Sequence, residues 1–281
     1  MNYRHIYHAG CYADVFKHII LIEILLKLRL KEKPFCVIDT HAGIGLYDLD
    51  SIQAQKTGEF EKGISKFLIK GRSDPDFIEY VRVIDSLNQN CREKGAPALK
   101  KYPGSPAFAR FCLRPQDRLR VCEWHPEDVK ILQEHFEKDS QVKVFHQDAY
   151  QFLKAVLPPL EKRGLVLIDP PFEKTNEFEN LIGGLTQAFK RFAHGIYALW
   201  YPIKEIDAID QFHFDLKKAG FGNFLCIEMA LDILPPEESL RGCGMIIFNP
   251  PWQLDERMKI ILPKLMDYLE FKGSSRIENI N

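Results

Sequence analysis

The stretch PFCVIDTHAGIG, residues 34–45, joins a short apolar run to a turn that contains two glycines. An apolar run of this length between a proline and a glycine turn is typical of a buried parallel strand, here over 35–39. Glycine at a strand-to-helix turn lets a ligand approach the backbone where a Cβ would block it. The stretch therefore predicts the first strand of an α/β fold, followed by a ligand-binding turn at Gly43.

Similar strands and helices alternate along the chain that follows. Further apolar runs predict strands over 118–123, 142–147, 164–169 and 195–202. Apolar residues three and four apart predict helices between them, at Val129, Leu132 and Phe136, at Phe178, Leu181, Leu185 and Phe189, and at Ile209, Phe212 and Leu216. This alternation predicts a Rossmann-like, mostly parallel sheet with helices on both faces.

The two ends of the chain differ from this pattern. Before the first strand, residues 14–30 have the periodicity of an amphipathic helix, with Asp14 as its N-cap. After the fifth strand, 222–231 and 243–250 are two strands whose connection is too short for a crossover helix. We therefore expect these two strands to pair antiparallel, so that the sheet has an antiparallel last strand.

The interval between the first two predicted strands, from Asp39 to Arg118, is much longer than a single crossover helix requires. Helical periodicity recurs inside it, with one face formed by Phe77, Val81, Ile84 and Leu87. We therefore expect 50–103 to form an inserted helical subdomain. Residues 1–49, with the N-terminal helix and first strand, and 104–281 would together make the main α/β domain.

The composition is that of an ordinary globular protein, with 46% hydrophobic and 27% charged residues among 281 and a formal net charge of −1. Any nucleic-acid surface would have to be a local basic patch. The seven cysteines have no C-x-x-C spacing, which indicates reduced thiols in a cytoplasmic protein. We expect no membrane contact, because the apolar segment 19–28 is too short to span a bilayer. We also expect no metal, because His5 and His8 lack a second ligand pair.

The residues of the glycine turn distinguish between classes of ligand. Asp48 stands where a dinucleotide fingerprint needs its third glycine, and no Gly-Lys-Ser/Thr follows for a phosphate loop. The form D-x-x-A-G-x-G instead resembles motif I of class I S-adenosylmethionine-dependent methyltransferases. Glu123, after the second predicted strand, is placed to accept both hydroxyls of a ribose. It could alternatively be a charge at the N-terminus of the next helix.

Asp148 follows the third predicted strand in the same way. In the methyltransferases that the glycine turn resembles, an acid at this place accepts a hydrogen bond from the adenine amino group of the cofactor. Asp148 could equally be the N-cap of the helix that begins at Ala149. Both functions are compatible, so the sequence does not choose between them.

Two proline motifs end apolar runs, Asp169-Pro-Pro-Phe172 and Asn249-Pro-Pro-Trp252. The first resembles motif IV of amino-methyltransferases, in which the acid and the first proline carbonyl accept the N–H bonds of the target amine and the aromatic ring stacks on the base. Ligands of doubly wound sheets bind at the carboxyl ends of the parallel strands, where Asp169 lies. Asn249 ends an antiparallel strand, so it should lie at the opposite edge. Asp169 is therefore the predicted catalytic residue, with Pro170 and Phe172 at the substrate.

Six blocks extend the resemblance over nearly the whole chain: YRHIYHAGCYADVFKH, DTHAGIGLYDL, YPGSP, RGLVLIDPPF, YALWYP and GMIIFNPPW. Together they resemble the RlmJ family of 23S ribosomal RNA adenine-N6 methyltransferases. This resemblance implies S-adenosyl-L-methionine as cofactor, 23S ribosomal RNA as partner and Tyr3 as an RNA contact. It implies cofactor contacts at His18, His41, Gly43, Ser105, Glu123, Asp148 and Ala149. We expect the protein to act as a monomer.

The resemblance leaves open how the RNA would be bound. An adenine in stacked RNA has to be flipped out to reach such a pocket. Candidate cations for the RNA backbone are Arg4, Lys17, Lys100 and Lys101. The family often has tyrosine where this chain has Phe172, which keeps the stacking face and loses the hydroxyl.

Three other functions stay open at this point. The same fold could methylate adenine in DNA, or serve the use of external DNA. The chain could be a non-catalytic module that binds S-adenosylmethionine or nucleic acid, although an intact Asp169 argues against that. It could also methylate a protein amide, but an aspartate at 169 fits a nucleobase amine better.

Overall fold

The fold is described from a computed structural model of the 281-residue chain. The structure describes residues 4–89, 99–173, 176–232 and 240–280, and the backbone of residues 92–93 and 96–97. Tyr3, the predicted RNA contact, lies outside the described residues. In the described ranges, no helix combines the length and apolarity that a membrane crossing needs.

One eight-stranded sheet forms the centre of the molecule. Its strands are β1 (Cys36–Asp39), β2 (Arg118–Cys122), β3 (Val142–Phe145), β4 (Gly164–Ile168), β5 (Ile196–Ile203), β6 (Phe224–Leu231), β7 (Gly242–Phe248) and β8 (Gly273–Ile280). The order across the sheet is β3-β2-β1-β4-β5-β7-β6-β8. Strands β1 to β5 pair in parallel, and β7 pairs antiparallel with both β5 and β6. The predicted mostly parallel sheet with an antiparallel strand after the fifth is confirmed.

Helices cover both faces of this sheet. They are α1 (Tyr12–Arg29), α2 (Ile52–Thr57), α3 (Lys66–Gly71), α4 (Ile78–Asn88), α5 (Ser105–Cys112), α6 (Asp128–Phe136), α7 (Ala149–Val156), α8 (Glu177–Arg191), α9 (Ile206–Lys218) and α10 (Leu254–Tyr268). Alternate residues of β1 point to opposite faces: Val37 joins the apolar cluster of α1, α5 and α10, and Ile38 joins that of α7, α8 and α9. Both faces of β1 are therefore buried, as its continuous apolar run predicts.

The segment between β1 and β2 brings the chain back to the glycine turn. A short strand, Lys101–Pro103, pairs antiparallel with Leu46–Asp48, and the Gly104 N–H donates to the carbonyl of Gly45 at 2.9 Å. These contacts place the start of α5 beside the turn. The ring of Tyr80 in α4 stacks on that of Phe108 in α5, with centroids 5.1 Å apart. The helices of this segment thus share one apolar cluster with α1, and its division from the main domain at 50 and 103 stays a prediction.

Asp14 is not the N-cap of the first helix, which corrects the expectation from sequence. Helix α1 begins at Tyr12, and its N-cap is Cys11, whose side chain makes no capping bond. The Asp14 carboxylate instead accepts the backbone N–H of Gly10 at 2.9 Å and faces inward, fully buried. The carboxylate has charged partners there, described below, which the capping interpretation did not anticipate.

Asn249 lies at the edge of the sheet opposite to Asp169, as its antiparallel strand predicts. Its side-chain amide donates to the carbonyls of Ala193 at 2.8 Å and Gly195 at 2.7 Å. These carbonyls directly precede β5, so they mark the edge where the parallel strands begin. The second proline motif therefore fixes the connection after β7 and is remote from the carboxyl ends of the parallel strands.

Strand β8 has no counterpart among the strands predicted from sequence. It pairs antiparallel with β6 at the margin of the sheet. Its sequence, GSSRIENI, lacks the apolar run that revealed the other strands, and half of its residues are exposed. An edge strand needs only part of one face covered, so apolar periodicity did not reveal it.

Candidate active site

A cleft of about 920 Å³ opens at the carboxyl ends of the parallel strands. Its walls come from α1, the glycine turn after β1, the start of α5 and the segments that follow β2 to β5. All predicted site residues that the structure describes line this single cleft. They are His18, His41, Gly43, Ser105, Glu123, Asp148, Ala149, Asp169, Pro170 and Phe172.

Gly43 lines the cleft at the turn after β1. Its φ of +59° lies in the left-handed region, which residues with a Cβ rarely adopt. A Cβ at this position would lie 2.1 Å from the hydroxyl oxygen of Tyr47. The turn therefore requires glycine both for its conformation and for its close packing.

Glu123 lies across from this turn, directly after β2. One carboxylate oxygen accepts the Gly43 N–H at 2.8 Å, and the other accepts the His125 N–H at 2.7 Å. Burial raises the pKa of Glu123, and these two N–H donors oppose the shift. An ionised carboxylate offers about four lone-pair positions, so two acceptor positions are left for a ligand such as a ribose diol.

Asp39, the last residue of β1, is buried directly before the glycine turn, and sequence reasoning interpreted it only as the end of a strand. Its Oδ1 accepts the His41 N–H at 3.2 Å, whereas its buried Oδ2 has no hydrogen-bond partner among the described residues. Burial raises the pKa of Asp39 to about 6. The signal was present in the sequence, because Asp39 is the acid of D-x-x-A-G-x-G.

His41 is held in one tautomer by its neighbour. The Thr40 hydroxyl donates to the carbonyl of Leu167 at 3.0 Å, so its oxygen is left to accept from His41 Nδ1, which lies 2.8 Å away. Assigned from this network, the proton is on Nδ1 and Nε2 has a free lone pair. Burial lowers the pKa of His41 to about 4, so the ring is neutral at pH 7 and offers a hydrogen-bond acceptor.

Asp169 is paired with a buried lysine. Lys17 Nζ lies 2.5 Å from Asp169 Oδ2 and 3.0 Å from Asp14 Oδ1. Asp14 is held further by His5 Nε2 at 2.8 Å. Burial alone would lower the pKa of Lys17, but the two carboxylates outweigh it and hold that pKa well above its ordinary value.

These ion pairs limit the contacts that Lys17 can make. Its side chain is almost fully buried and lies between two carboxylates. The expectation that Lys17 contacts the RNA backbone is therefore wrong, because such a contact needs an accessible, unpaired cation. Its ammonium group instead compensates the negative charge of Asp169 inside the cleft.

Phe172 provides an aromatic surface next to Asp169. Its backbone is left-handed, with φ of +48°, and its ring centroid lies 5.1 Å from Phe178 and 5.9 Å from Trp200. The contact with Trp200 is edge-to-face, which is a favourable arrangement for aromatic pairs. Trp200 and Pro202, from the YALWYP block, also line the cleft. The motif therefore presents a carboxylate, a proline backbone and a ring side by side.

The remaining predicted cofactor residues are fixed by contacts within the protein. Asp148 is the N-cap of α7, since its Oδ1 accepts the N–H groups of Tyr150 and Gln151 at 3.0 and 3.1 Å. The capping interpretation is thus confirmed, whereas the contact of Asp148 with the adenine of the cofactor stays a prediction. His18 is buried, and its Nδ1 lies 2.8 Å from the hydroxyl of Tyr102. Ser105 begins α5.

A second polar cluster, which the sequence did not reveal, lies between α9 and β6. The ligand atoms of His213, Cys226 and Glu228 all lie within 4.8 Å of one another. The hydroxyl of Tyr201 already donates to Glu228 at 2.6 Å, and Arg276 lies 3.6 Å from the other oxygen of that carboxylate. The cluster is therefore a satisfied hydrogen-bond network.

Comparison with known proteins shows close relatives. The family model described as "Ribosomal RNA large subunit methyltransferase D, RlmJ" matches residues 32–280. The ribosomal RNA large subunit methyltransferase J of Escherichia coli (strain K12) is 41% identical over 276 residues, which cover 98% of this chain and 96% of that protein. The protein of the same name from Haemophilus influenzae is 40% identical over 274 residues, again 98% and 96%.

A solved structure shares the whole fold. A protein from Legionella pneumophila (strain Philadelphia 1) superposes with a TM-score of 0.87 at 35% sequence identity. The superposition covers 98% of this chain and 99% of that one. The similarity therefore includes all the elements that line the cleft.

Proposed function

The chain belongs to the RlmJ family of ribosomal RNA large subunit methyltransferases, and from this premise we propose its reaction. It transfers the methyl group of S-adenosylmethionine to N6 of one adenine in 23S ribosomal RNA. It does so in the cytoplasm and as a monomer. The observation that most supports this is that Asp169-Pro-Pro-Phe172 and the turn at Gly43 line one cleft.

The residues of the cleft fit this cofactor. S-adenosylmethionine has a sulfonium and an ammonium group, and the unpartnered Oδ2 of Asp39 is the kind of acceptor that a buried cation requires. The left-handed backbone at Gly43 gives the turn its tight form along the cleft. Glu123 would hold the ribose hydroxyls, and Asp148 with Ala149 the adenine. His18, His41 and Ser105 would contact the amino-acid end.

Asp169 and Pro170 position the target amine. The bound cofactor supplies an activated methyl group, and the protein has to present the lone pair of the adenine N6 to it. The free oxygen of the Asp169 carboxylate and the carbonyl of Pro170 accept the two N–H bonds of the amine, which orients that lone pair. Such alignment lowers the barrier because it replaces a chance encounter by a fixed geometry.

Lys17 and the aromatic residues support this arrangement. Lys17 binds Oδ2 of Asp169 and so leaves Oδ1 for the amine. Phe172 stacks on the base, which has been flipped out of the RNA, with Trp200 behind the ring.

Methyl transfer to defined nucleic acids tests the proposal. The protein is incubated with labelled S-adenosylmethionine and, in parallel, with 23S ribosomal RNA and with duplex DNA of matching sequence. After nuclease digestion, we expect the label in N6-methyladenosine from the RNA, with at least tenfold less in the DNA, which corresponds to about 1.4 kcal/mol of discrimination. Label in N6-methyldeoxyadenosine alone, or at another atom of the RNA, would contradict the proposal.

A further inference from the structure

The charges of the cleft are unequal. The described residues that line it include eight carboxylates and three lysines, with no arginine. A negative cleft attracts a cationic cofactor and disfavours a phosphodiester backbone. RNA that delivers a base into this cleft therefore needs cations at the mouth, where its phosphates would stay.

Two of the four cations named from sequence, Lys17 and Arg4, are poorly suited to this task. Lys17 is buried between Asp14 and Asp169. Arg4 is paired with Glu127 at 2.9 Å and with Asp128 at 2.5 Å. Each would have to lose a carboxylate partner before it could bind a phosphate, which offsets part of the gain.

Lys62 and Lys204 differ from these two residues. Both line the cleft and both are exposed. Neither side chain has an ion pair or a hydrogen bond within the part of the chain that the structure describes. They can therefore bind phosphate without giving up a protein partner.

The backbones of Lys62 and Lys204 are fixed on different walls of the cleft. Lys62 belongs to the helical turn Glu61–Ser65, where the Ile64 N–H donates to the carbonyl of Gly10 at 2.8 Å. A Cβ at Gly63 would lie only 2.0 Å from that same carbonyl oxygen, so the turn is packed closely against the start of α1. Lys204 directly follows β5, two residues after Pro202. Both cations therefore have defined positions at the rim.

We propose that Lys62 and Lys204, the two exposed lysines that line the cleft, bind backbone phosphates of the RNA at its mouth. This inference rests on the proposed function, because it names the surface that holds the RNA for the same site. The molecule thus separates its two substrates by charge: the cofactor cation binds inside and the polyanion binds at the rim.

Lysine substitutions with a matched control test this proposal. The variants are Lys62→Ala, Lys204→Ala, the double variant and Lys190→Ala. Lys190 is another exposed lysine, in the last turn of α8. It lies roughly 20 Å along the helix from Glu177, whose side chain lines the cleft. RNA affinity is measured by fluorescence anisotropy between about 50 and 200 mM salt. Affinity for S-adenosylhomocysteine is measured by calorimetry.

In a plot of log RNA affinity against log salt concentration, we expect each single variant to have a slope that is smaller in magnitude by about 0.7 to 1. The double variant should show about twice that reduction. Affinity for S-adenosylhomocysteine and the melting temperature should stay at wild-type values, as should every property of Lys190→Ala. A double variant with the wild-type slope would overturn the inference. The proposed function fails separately, if wild-type protein binds RNA yet transfers no methyl group to it.

Discussion

At the scale of single residues, the site depends on buried carboxylates whose charges are compensated differently. Asp14 has Lys17, His5 and a backbone N–H as partners, and although burial opposes it, these hold its pKa well below the ordinary value. At Asp39 the effect of burial outweighs the opposing hydrogen bonds from Ser105 and the His41 N–H, and its pKa is raised to about 6. The first carboxylate stabilises the folded protein at neutral pH, whereas the second destabilises it.

This difference predicts the behaviour of Asp39→Asn. When the pKa of a carboxyl group is raised in the folded state, its contribution to stability is fully present below the unfolded pKa, near 4. That contribution is lost as pH rises through the folded pKa, which is about 6 for Asp39. At pH 7 the asparagine variant should therefore be more stable by up to about 3 kcal/mol, a gain that fades toward pH 4. Urea unfolding at pH 4 and pH 7 measures this.

The same variant should bind the cofactor less well, because an amide replaces the carboxylate that would face the ammonium group. Calorimetry with S-adenosylmethionine checks this second outcome. If Asp39→Asn were less stable than wild type at pH 7, or bound the cofactor equally well, the role assigned to the unpartnered oxygen would be wrong.

At the scale of elements, the turn after β1 is the part of the site that tolerates least change. Gly43→Ala has to place a Cβ in left-handed backbone and against Tyr47. We expect a cost of about 1 to 3 kcal/mol in stability and at least a tenfold loss of cofactor affinity. Thermal unfolding and calorimetry measure the two effects.

Gly183→Ala is the matched control for the turn. Gly183 lies within α8, and nothing approaches the position of an added Cβ within 4 Å. Alanine there should stabilise the helix by up to about 1 kcal/mol and leave cofactor binding unchanged. Equal effects of the two substitutions would show that Gly43 is an ordinary surface position.

The second proline motif predicts a purely structural effect at the end of β7. Asn249→Ala removes both hydrogen bonds to the chain before β5 and replaces a residue that tolerates its left-handed φ of +51°. We expect a loss of about 1 to 3 kcal/mol in unfolding free energy. The rate of methyl transfer per folded molecule should not change.

Activity assays on Asn249→Ala, corrected for the folded fraction, measure this outcome. A fall in kcat comparable to that of a change at Asp169 would mean that the two motifs had been assigned the wrong way round. Topology is the basis of the assignment, since β7 is antiparallel to β5 and ends at the far edge.

At the scale of the whole molecule, the sequence predicted the elements that have strong apolar runs. Strands β1 to β7 were all anticipated, with ends that differ from the observed ones by up to two residues. The edge strand β8 was missed because its polar residues face solvent. Direction within the sheet followed from connection lengths, which is why the two proline motifs could be told apart.

The sequence also predicted which residues would meet in the cleft, but not their partners. Glu123 and Asp169 follow strands whose carboxyl ends must share an edge, so their proximity follows from the fold class. The ion pair between Lys17 and Asp169 joins residues 152 positions apart and has no local pattern. The same holds for the tautomer of His41, which depends on a carbonyl in β4. Such contacts become visible only in three dimensions.

We propose that Asp169 positions the substrate amine inside the cleft that would bind the cofactor. The direct measurement is a pair of experiments on Asp169→Ala: calorimetric binding of S-adenosylhomocysteine, and single-turnover formation of N6-methyladenosine in 23S ribosomal RNA. We predict cofactor affinity within about threefold of wild type and a rate reduced about 10²- to 10⁴-fold. Methylation at the wild-type rate in this variant would contradict the account.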